Sequence, residues 1–310
     1  MPGTDKSDID RTDADTRATE RGTALLDAAA EQVEAWVDAW PGWNALPDAL
    51  ASAGRYGVLG GGKRLRPTLV LAACEACGGD RADAMPAAAA LELVHCFSLV
   101  HDDLPALDDD ALRRGRPTLH IHAGEPMAIL AGDLLLTQAF QILGSADWPT
   151  EVRVDLVRML ADETVQMVAG QVYDTLGGLP DNLDTLEQLR LVHRCKTGAL
   201  IKCAVLMGAR VAQADDAVIS ALAHYGSAVG LMFQVVDDLL DVTQSEAHIG
   251  KAVGKDAAKG RPNWPALLGT DASRQEVDRL LTAAVTALAP LHANGASLRD
   301  LALTMAVRTR

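Results

Sequence analysis

Five aspartates within nine residues, Asp102, Asp103, Asp108, Asp109 and Asp110, constrain this chain more than any other feature. They follow an apolar run, Pro86 to Val100, and precede Arg113 and Arg114, so they do not read as a solvated polar face. At an effective dielectric near 20, like unit charges about 4 Å apart repel by roughly 4 kcal/mol. Carboxylates gathered in this way shift their pKa values or hold a cation. A second group, Asp237, Asp238 and Asp241, recurs 135 residues after the first and again closes an apolar segment, Val229 to Val236. Asp237 and Asp241, at i and i+4, share one helix face, and Asp238 lies about 100° round from Asp237. Oxygen donors with no cysteine nearby and only His101 adjacent favour Mg²⁺ over zinc. The expectation is a fold that brings the two acid groups face to face around one metal-diphosphate site.

Composition says what kind of fold does this. The 310 residues are 49% hydrophobic but only 4% aromatic, with alanine and leucine abundant, which raises helix propensity and lowers strand propensity. The class is all-α. Residues 1–17, with Asp5, Asp8, Asp10, Asp13 and Asp15 among Thr and Ser, predict a disordered acidic tail, and residues 18–310 a single domain. With 42 Asp+Glu against 28 Lys+Arg, the net charge of −14 argues against nucleic acid or an anionic membrane as a partner. No basic leader and no uninterrupted apolar run of about 18 residues that would read as a membrane span is expected, which predicts a cytoplasmic protein. Cys74 and Cys77 form a CxxC with no second pair, so the five cysteines read as reduced, buried thiols.

An acidic chain that binds an anion needs a local basic cluster. Gly60, Gly61 and Gly62 lead into Lys63, Arg64 and Arg66, a flexible turn delivering three cations. Gly57 to Lys63 also meets the opening of a phosphate-loop pattern, but Arg64 stands where that loop needs Ser or Thr, and no buried strand precedes it. Apolar periodicity predicts helices over 18–40, 68–77, 86–103, 127–143, 151–173, 185–211 and 215–242, then two more to the end. In the helix over 86–103, His95, Ser98 and Asp102 share one stripe and Phe97 lies to the side. Lys196 and Thr197 fall inside an apolar helix, where a lone lysine is commonly a snorkelling surface residue. The stretch over 244–262 reads as a cationic loop carrying Lys251 and Arg261.

Taken together and in order, GGKRLRP (61–67), LVHCFSLVHDDLPALDDDALRRGRPT (93–118), GQVYD (170–174), KTG (196–198) and FQVVDDLLD (233–241) resemble the trans-isoprenyl diphosphate synthases, or polyprenyl synthetases. The resemblance covers most of the chain. It implies a bundle of long helices around a central cavity, usually a homodimer, joining isopentenyl diphosphate to an allylic diphosphate with Mg²⁺, three ions per site. On this likeness Asp102, Asp103, Asp108, Asp237, Asp238 and Asp241 would hold the metal. Arg113, Lys196, Lys251 and Arg261 would take the allylic diphosphate, and Gly62, Lys63, Arg66, His95 and Arg114 the isopentenyl diphosphate. Thr197 and Gln234 would line the reacting end.

The family usually continues after the second acid group with Gly-Lys and then Thr-Tyr-Pro, whereas this chain has Gly260-Arg261-Pro262-Asn263-Trp264-Pro265. Phe97 and Ser98, just ahead of the first acid group, with the four-residue spacer Leu104 to Leu107, look like the bacterial farnesyl type and imply a C15 product; a geranylgeranyl synthase is the alternative. Two other classes compete. A terpene cyclase would have no use for Lys63, Arg66 and Arg114, and a non-catalytic partner subunit would be expected to have lost acids from one group.

Overall fold

Asp80 shows how short-range chemistry starts the helices. Its side chain accepts the backbone N–H of Ala82 (2.8 Å), capping a helix at Arg81–Asp102 that begins five residues before the expected start. The computed structural model describes residues 6–247 and 262–307, the side chains of 6–13 and 243–247 excepted. In chain order the helices are α1 (Lys6–Asp38), α2 (Asp48–Val58), α3 (Leu65–Ala76), α4 (Arg81–Asp102), α5 (Leu119–Ala123), α6 (Glu125–Ser145), α7 (Thr150–Thr175) and α8 (Thr185–His193). A π-helical turn, Arg194–Gly198, joins α8 to α9 (Ala199–Val211). Then come α10 (Asp216–Ala247), α11 (Trp264–Leu268), α12 (Thr270–Ala287) and α13 (Ala296–Val307). The only strands among the described residues are β1 (Leu112–Arg113) and β2 (Arg116–Pro117), a minimal antiparallel hairpin. The fold is all-α, as its composition demands.

Cα packing divides the chain into two compact units, a division that no linker marks because each unit is assembled from separate stretches. In the unit of Leu26–Thr164 and Cys203–Asp215, α4 is the centre. Ala87, Ala88, Ala89 and Ala90 are wholly buried, and so small a surface lets α3 and α6 approach closely. Leu69, Leu71, Leu91, Leu93 and Leu135 are completely enclosed, each contributing about 1.5–3 kcal/mol of apolar burial. In α9, Gly208 has no room for a side chain beyond its α-carbon, because the carbonyl of Val70 in α3 lies there.

In the other unit, Met1–Leu25, Val165–Lys202 and Asp216–Arg310, α10 packs on α11, α12, α13 and the π-helical turn. Buried Tyr225 of α10 donates its hydroxyl to the carbonyl of Leu298 (2.7 Å), and burial pushes its pKa up.

Where the sequence predicts a tail, the described residues are helical from Lys6, and further along α1 docks on α13: Arg21 pairs with buried Asp300 (2.6 Å), and Gly22 lies against Asp300 and Thr304. Three helices, Arg81–Asp102, Glu125–Ser145 and Asp216–Val242, are also long and apolar enough to cross a membrane by length and composition. Occasional polar residues interrupt these runs without lowering their average below that of a span. The first has 72% of its apolar window buried within the protein.

Candidate active site

The first acid group is shaped by the backbone that follows α4. The amide of Asp108 donates to the carbonyl of Asp102 (2.9 Å), and that of Asp110 to the carbonyl of Asp103 (3.3 Å), so the loop folds back and returns Asp108 to the helix end. Asp102 is half-buried, but Asp103 is 3% exposed and both its oxygens are taken by Arg113. Nε of Arg113 donates to each oxygen (2.8 Å), and Nη2 to one of them (2.6 Å). The pair raises the arginine pKa further and leaves Nη1 for another acceptor.

Arg113 and Arg114 are neighbours in sequence yet serve different partners. The hairpin turns through Arg114 (φ 52°) and Gly115 (φ 76°), the double left-handed geometry of a type I′ turn. Arg113 therefore goes to Asp103, while Arg114 donates from Nη1 to the carbonyl of Gly61 and lies against Gly62. Gly62 (φ 118°) has no space for a β-carbon, because the Arg114 guanidinium occupies it.

These contacts collect a cationic surface. Lys63 and Arg114 are exposed, and Nη1 of half-buried Arg66 lies 3.2 Å from Nε2 of His95. A guanidinium only donates, so Nε2 accepts and the imidazole proton sits on Nδ1. Burial, then Arg66 and Arg114, hold the His95 pKa well below the usual imidazole value. Neutral His95 thus shares a site with cations without adding a charge. Arg64, expected to point with its neighbours, is 3% exposed and turned inward to Glu34 and Glu92 (both 2.6 Å).

Phe97 is 7% exposed and packs edge-on against His101, centroids 5.8 Å apart. His101 in turn donates from Nε2 to the carbonyl of Ile129 (3.1 Å), in a space that Gly132 leaves open. The accessible stripe of α4 instead carries His95, Ser98, Leu99 and Asp102. Ser98 donates its hydroxyl back to the carbonyl of His95 (2.8 Å).

In the second unit, three glycines set the backbone. Gly170 of α7 lies against the backbone of Cys195 and Lys196, and Gly230 of α10 lies against Gly198, so a β-carbon at either position would clash. The π-helical turn is thereby clasped on both sides. Lys196 reaches Asp174 (2.6 Å), and Thr197 donates to Oε1 of Gln234 (2.9 Å). One turn beyond Gln234 stand half-buried Asp237 and Asp238 and exposed Asp241.

The unusual segment after the second acid group has a local logic. Asn263 Oδ1 accepts the amide of Ala266 (2.9 Å), capping α11. Trp264 is fully buried; its amide donates to Asp238 Oδ2 (2.9 Å) and its indole to Nδ1 of His193 (3.1 Å). Arg190 lies over the indole face, 5.3 Å from its centroid. Lys251 and Arg261 lie outside the described residues.

His193 and Gly230 carry no mark in the sequence, and Arg64 and Trp264 stand out there only as one cation of a basic turn and as part of a departure from the family pattern. An arginine between two exposed cations and a tryptophan in a glycine-rich stretch were the available signals, and neither says which way a side chain turns. Among the described residues no three of His, Cys, Asp and Glu converge to enclose a metal ion. The donors in both acid groups are carboxylate oxygens, a set that suits Mg²⁺ completed by waters and substrate phosphates.

The polyprenyl synthetase family profile matches residues 47–289. The large subunit 1 of the heterodimeric chloroplastic geranylgeranyl pyrophosphate synthase of Arabidopsis thaliana is 44% identical over 243 residues, 76% of this chain and 65% of that protein. This chain thus spans about two thirds of that relative's length. A crystal structure of an FPP/GFPP synthase from Zymomonas mobilis superposes with a TM-score of 0.79 at 30% identity, covering 92% of this chain and 98% of the other. A geranyltransferase from Legionella pneumophila gives 0.81 at 31% identity, covering 94% and 98%. With the sequence motifs, the helical architecture and the match over residues 47–289 in agreement, the chain belongs to the polyprenyl synthetase family.

Proposed function

We propose that the protein is a prenyltransferase that condenses isopentenyl diphosphate with an allylic diphosphate and releases pyrophosphate. The observation that carries this reading is Arg66 and Arg114 beside neutral His95 on the helix that ends at Asp102, with exposed Lys63 in the same basic turn as Arg66. A diphosphate bound there is met by forked and point cations. A terpene cyclase, whose substrate is a single diphosphate, has no need of this second anion site.

In the reaction the allylic C–O bond breaks, its electron pair leaves with pyrophosphate, and the allylic carbon bonds to the isopentenyl double bond, which then gives up a proton to the basic pyrophosphate released in the first step. Asp102 and Asp108, joined through the backbone of their loop, and Asp237 with Asp241 on α10 are the residues that would hold Mg²⁺. Bound there, the ion would supply positive charge to the departing pyrophosphate. Asp103 and Asp238 act by holding Arg113 and the start of α11. Arg113 offers Nη1 and Lys196 its ammonium to the allylic diphosphate, charges set in place before the anion develops.

Phe97 supports a C15 product. A C20 product is the second reading, favoured by the geranylgeranyl synthase relative and by the packing of Phe97 on His101, away from the accessible stripe. We further propose that a second copy covers the exposed stripe of Val165, Val168 and Val172 on α7, with Leu176 just beyond its end, tested by sedimentation. Incubation with isopentenyl diphosphate and a labelled allylic starter, with pyrophosphate measured and the dephosphorylated alcohols sized, tests the reaction and its product. No pyrophosphate release would overturn the reading. Phe97→Ala should lengthen a C15 product; an unchanged chain length removes Phe97 from the cavity floor.

A further inference from the structure

We propose that Arg64, which is turned away from any ligand, is the positioning residue for the isopentenyl diphosphate site; this rests on assigning that diphosphate to Lys63, Arg66 and Arg114. Arg64 adopts left-handed backbone geometry (φ 47°, ψ 36°), disfavoured for a residue with a β-carbon. Its guanidinium sustains that conformation from below. Nε and Nη2 donate to Glu34 Oε1 (3.0 and 2.6 Å), Nη1 to Glu92 Oε1 (2.6 Å), and Nη2 also to the carbonyl of Val58 (2.5 Å). Three elements, α1, α2 and α4, therefore meet on one side chain.

Its backbone is equally committed. The Arg64 carbonyl accepts both the amide and the hydroxyl of Thr68 (3.0 and 2.7 Å), which starts α3 at the residue after the turn. The left-handed step at 64 separates exposed Lys63 from Arg66, which leads back to His95. Glu92 precedes His95 by three residues on α4, so one ion pair ties the loop of Lys63 and Arg66 to the helix that presents the histidine. The buried Arg64–Glu92 pair, joined by half-buried Glu34, is weak evidence for stability, since desolvation offsets most of its attraction. Its value here is registry: the cations are held at a spacing that a flexible glycine turn would not maintain.

The test separates position from stability. The triple variant Glu34→Gln/Arg64→Met/Glu92→Met removes all three charges together, and Arg64→Lys keeps the charge but loses the fork. KM for isopentenyl diphosphate should rise about tenfold or more in the triple variant, as if one charge-assisted hydrogen bond were lost. The rise should be smaller in Arg64→Lys, with kcat and the allylic KM within about twofold of wild type in both. Isopentenyl KM unchanged in the folded triple variant, or all three parameters changed together, overturns the proposal. If the triple variant does not fold, Arg64→Lys decides alone, and an unchanged isopentenyl KM there overturns it. Calorimetric titration with inorganic pyrophosphate keeps the two readings apart. A wild-type protein without prenyltransfer refutes the function, while equal pyrophosphate affinity in wild type and Arg64→Lys refutes the role of Arg64.

Discussion

His193 should make this protein lose stability between neutral pH and pH 4 by an amount that one substitution removes. Its Nδ1 accepts the indole N–H of Trp264 (3.1 Å), and an imidazolium has no lone pair there, so protonation sets donor against donor in a buried site. Burial, with Lys196 adding to it and Asp174 opposing, lowers the pKa to about 4. The unfolded chain takes up the proton near 6.5, the native protein only near 4, so between these values the unfolded state binds more protons and stability falls as pH falls. At about 1.36 kcal/mol per pH unit, and with the native histidine half-protonated at the lower limit, the loss from pH 7 to pH 4 is about 3 kcal/mol. His193→Gln keeps an oxygen able to accept the indole N–H but does not titrate. Urea unfolding of both proteins across this range should show the wild type falling more steeply by that amount, with the carboxylates common to both cancelling in the difference. Parallel curves would refute the assignment of a neutral, Trp-bonded His193.

Trp264→Phe keeps the aromatic ring and the amide bond to Asp238 but leaves His193 Nδ1 unpaired, and should destabilise by about 1–3 kcal/mol in the same unfolding assay. Gly170→Ala places a methyl group against the backbone of Lys196; it should cost about 1–3 kcal/mol and raise the allylic KM more than the isopentenyl KM in steady-state kinetics. Chelation should abolish pyrophosphate release and added Mg²⁺ restore it, with Asp102→Asn requiring more metal for half-maximal activity.

Much of the fold could be read from the chain because it depends on neighbours. The alanine-rich run of α4 and the three- and four-residue apolar spacing elsewhere anticipate the long helices, though their ends moved. Asp80 begins α4 earlier than Pro86 suggests, and α1, helical from Lys6, docks through Arg21 and Gly22 on partners nearly 300 residues away, at Asp300 and Thr304. The break at Arg194–Gly198 is a π-helical turn clasped between Gly170 and Gly230, and no periodicity within the segment announces it.

The candidate site divides along the same line. Linear spacing identifies the two aspartate groups and the basic turn, since the chemistry requires those residue types near one another along the chain. Only the tertiary structure separates Arg64 from Lys63 and Arg66, Arg113 from Arg114, and Asp103 from Asp102. The deciding partners are distant, with Glu34 and Glu92 lying 30 and 28 residues from Arg64. Charge and periodicity are written residue by residue, but whether a charged side chain faces solvent or a buried counter-ion is settled by desolvation and pairing, which exist only once separate helices have packed.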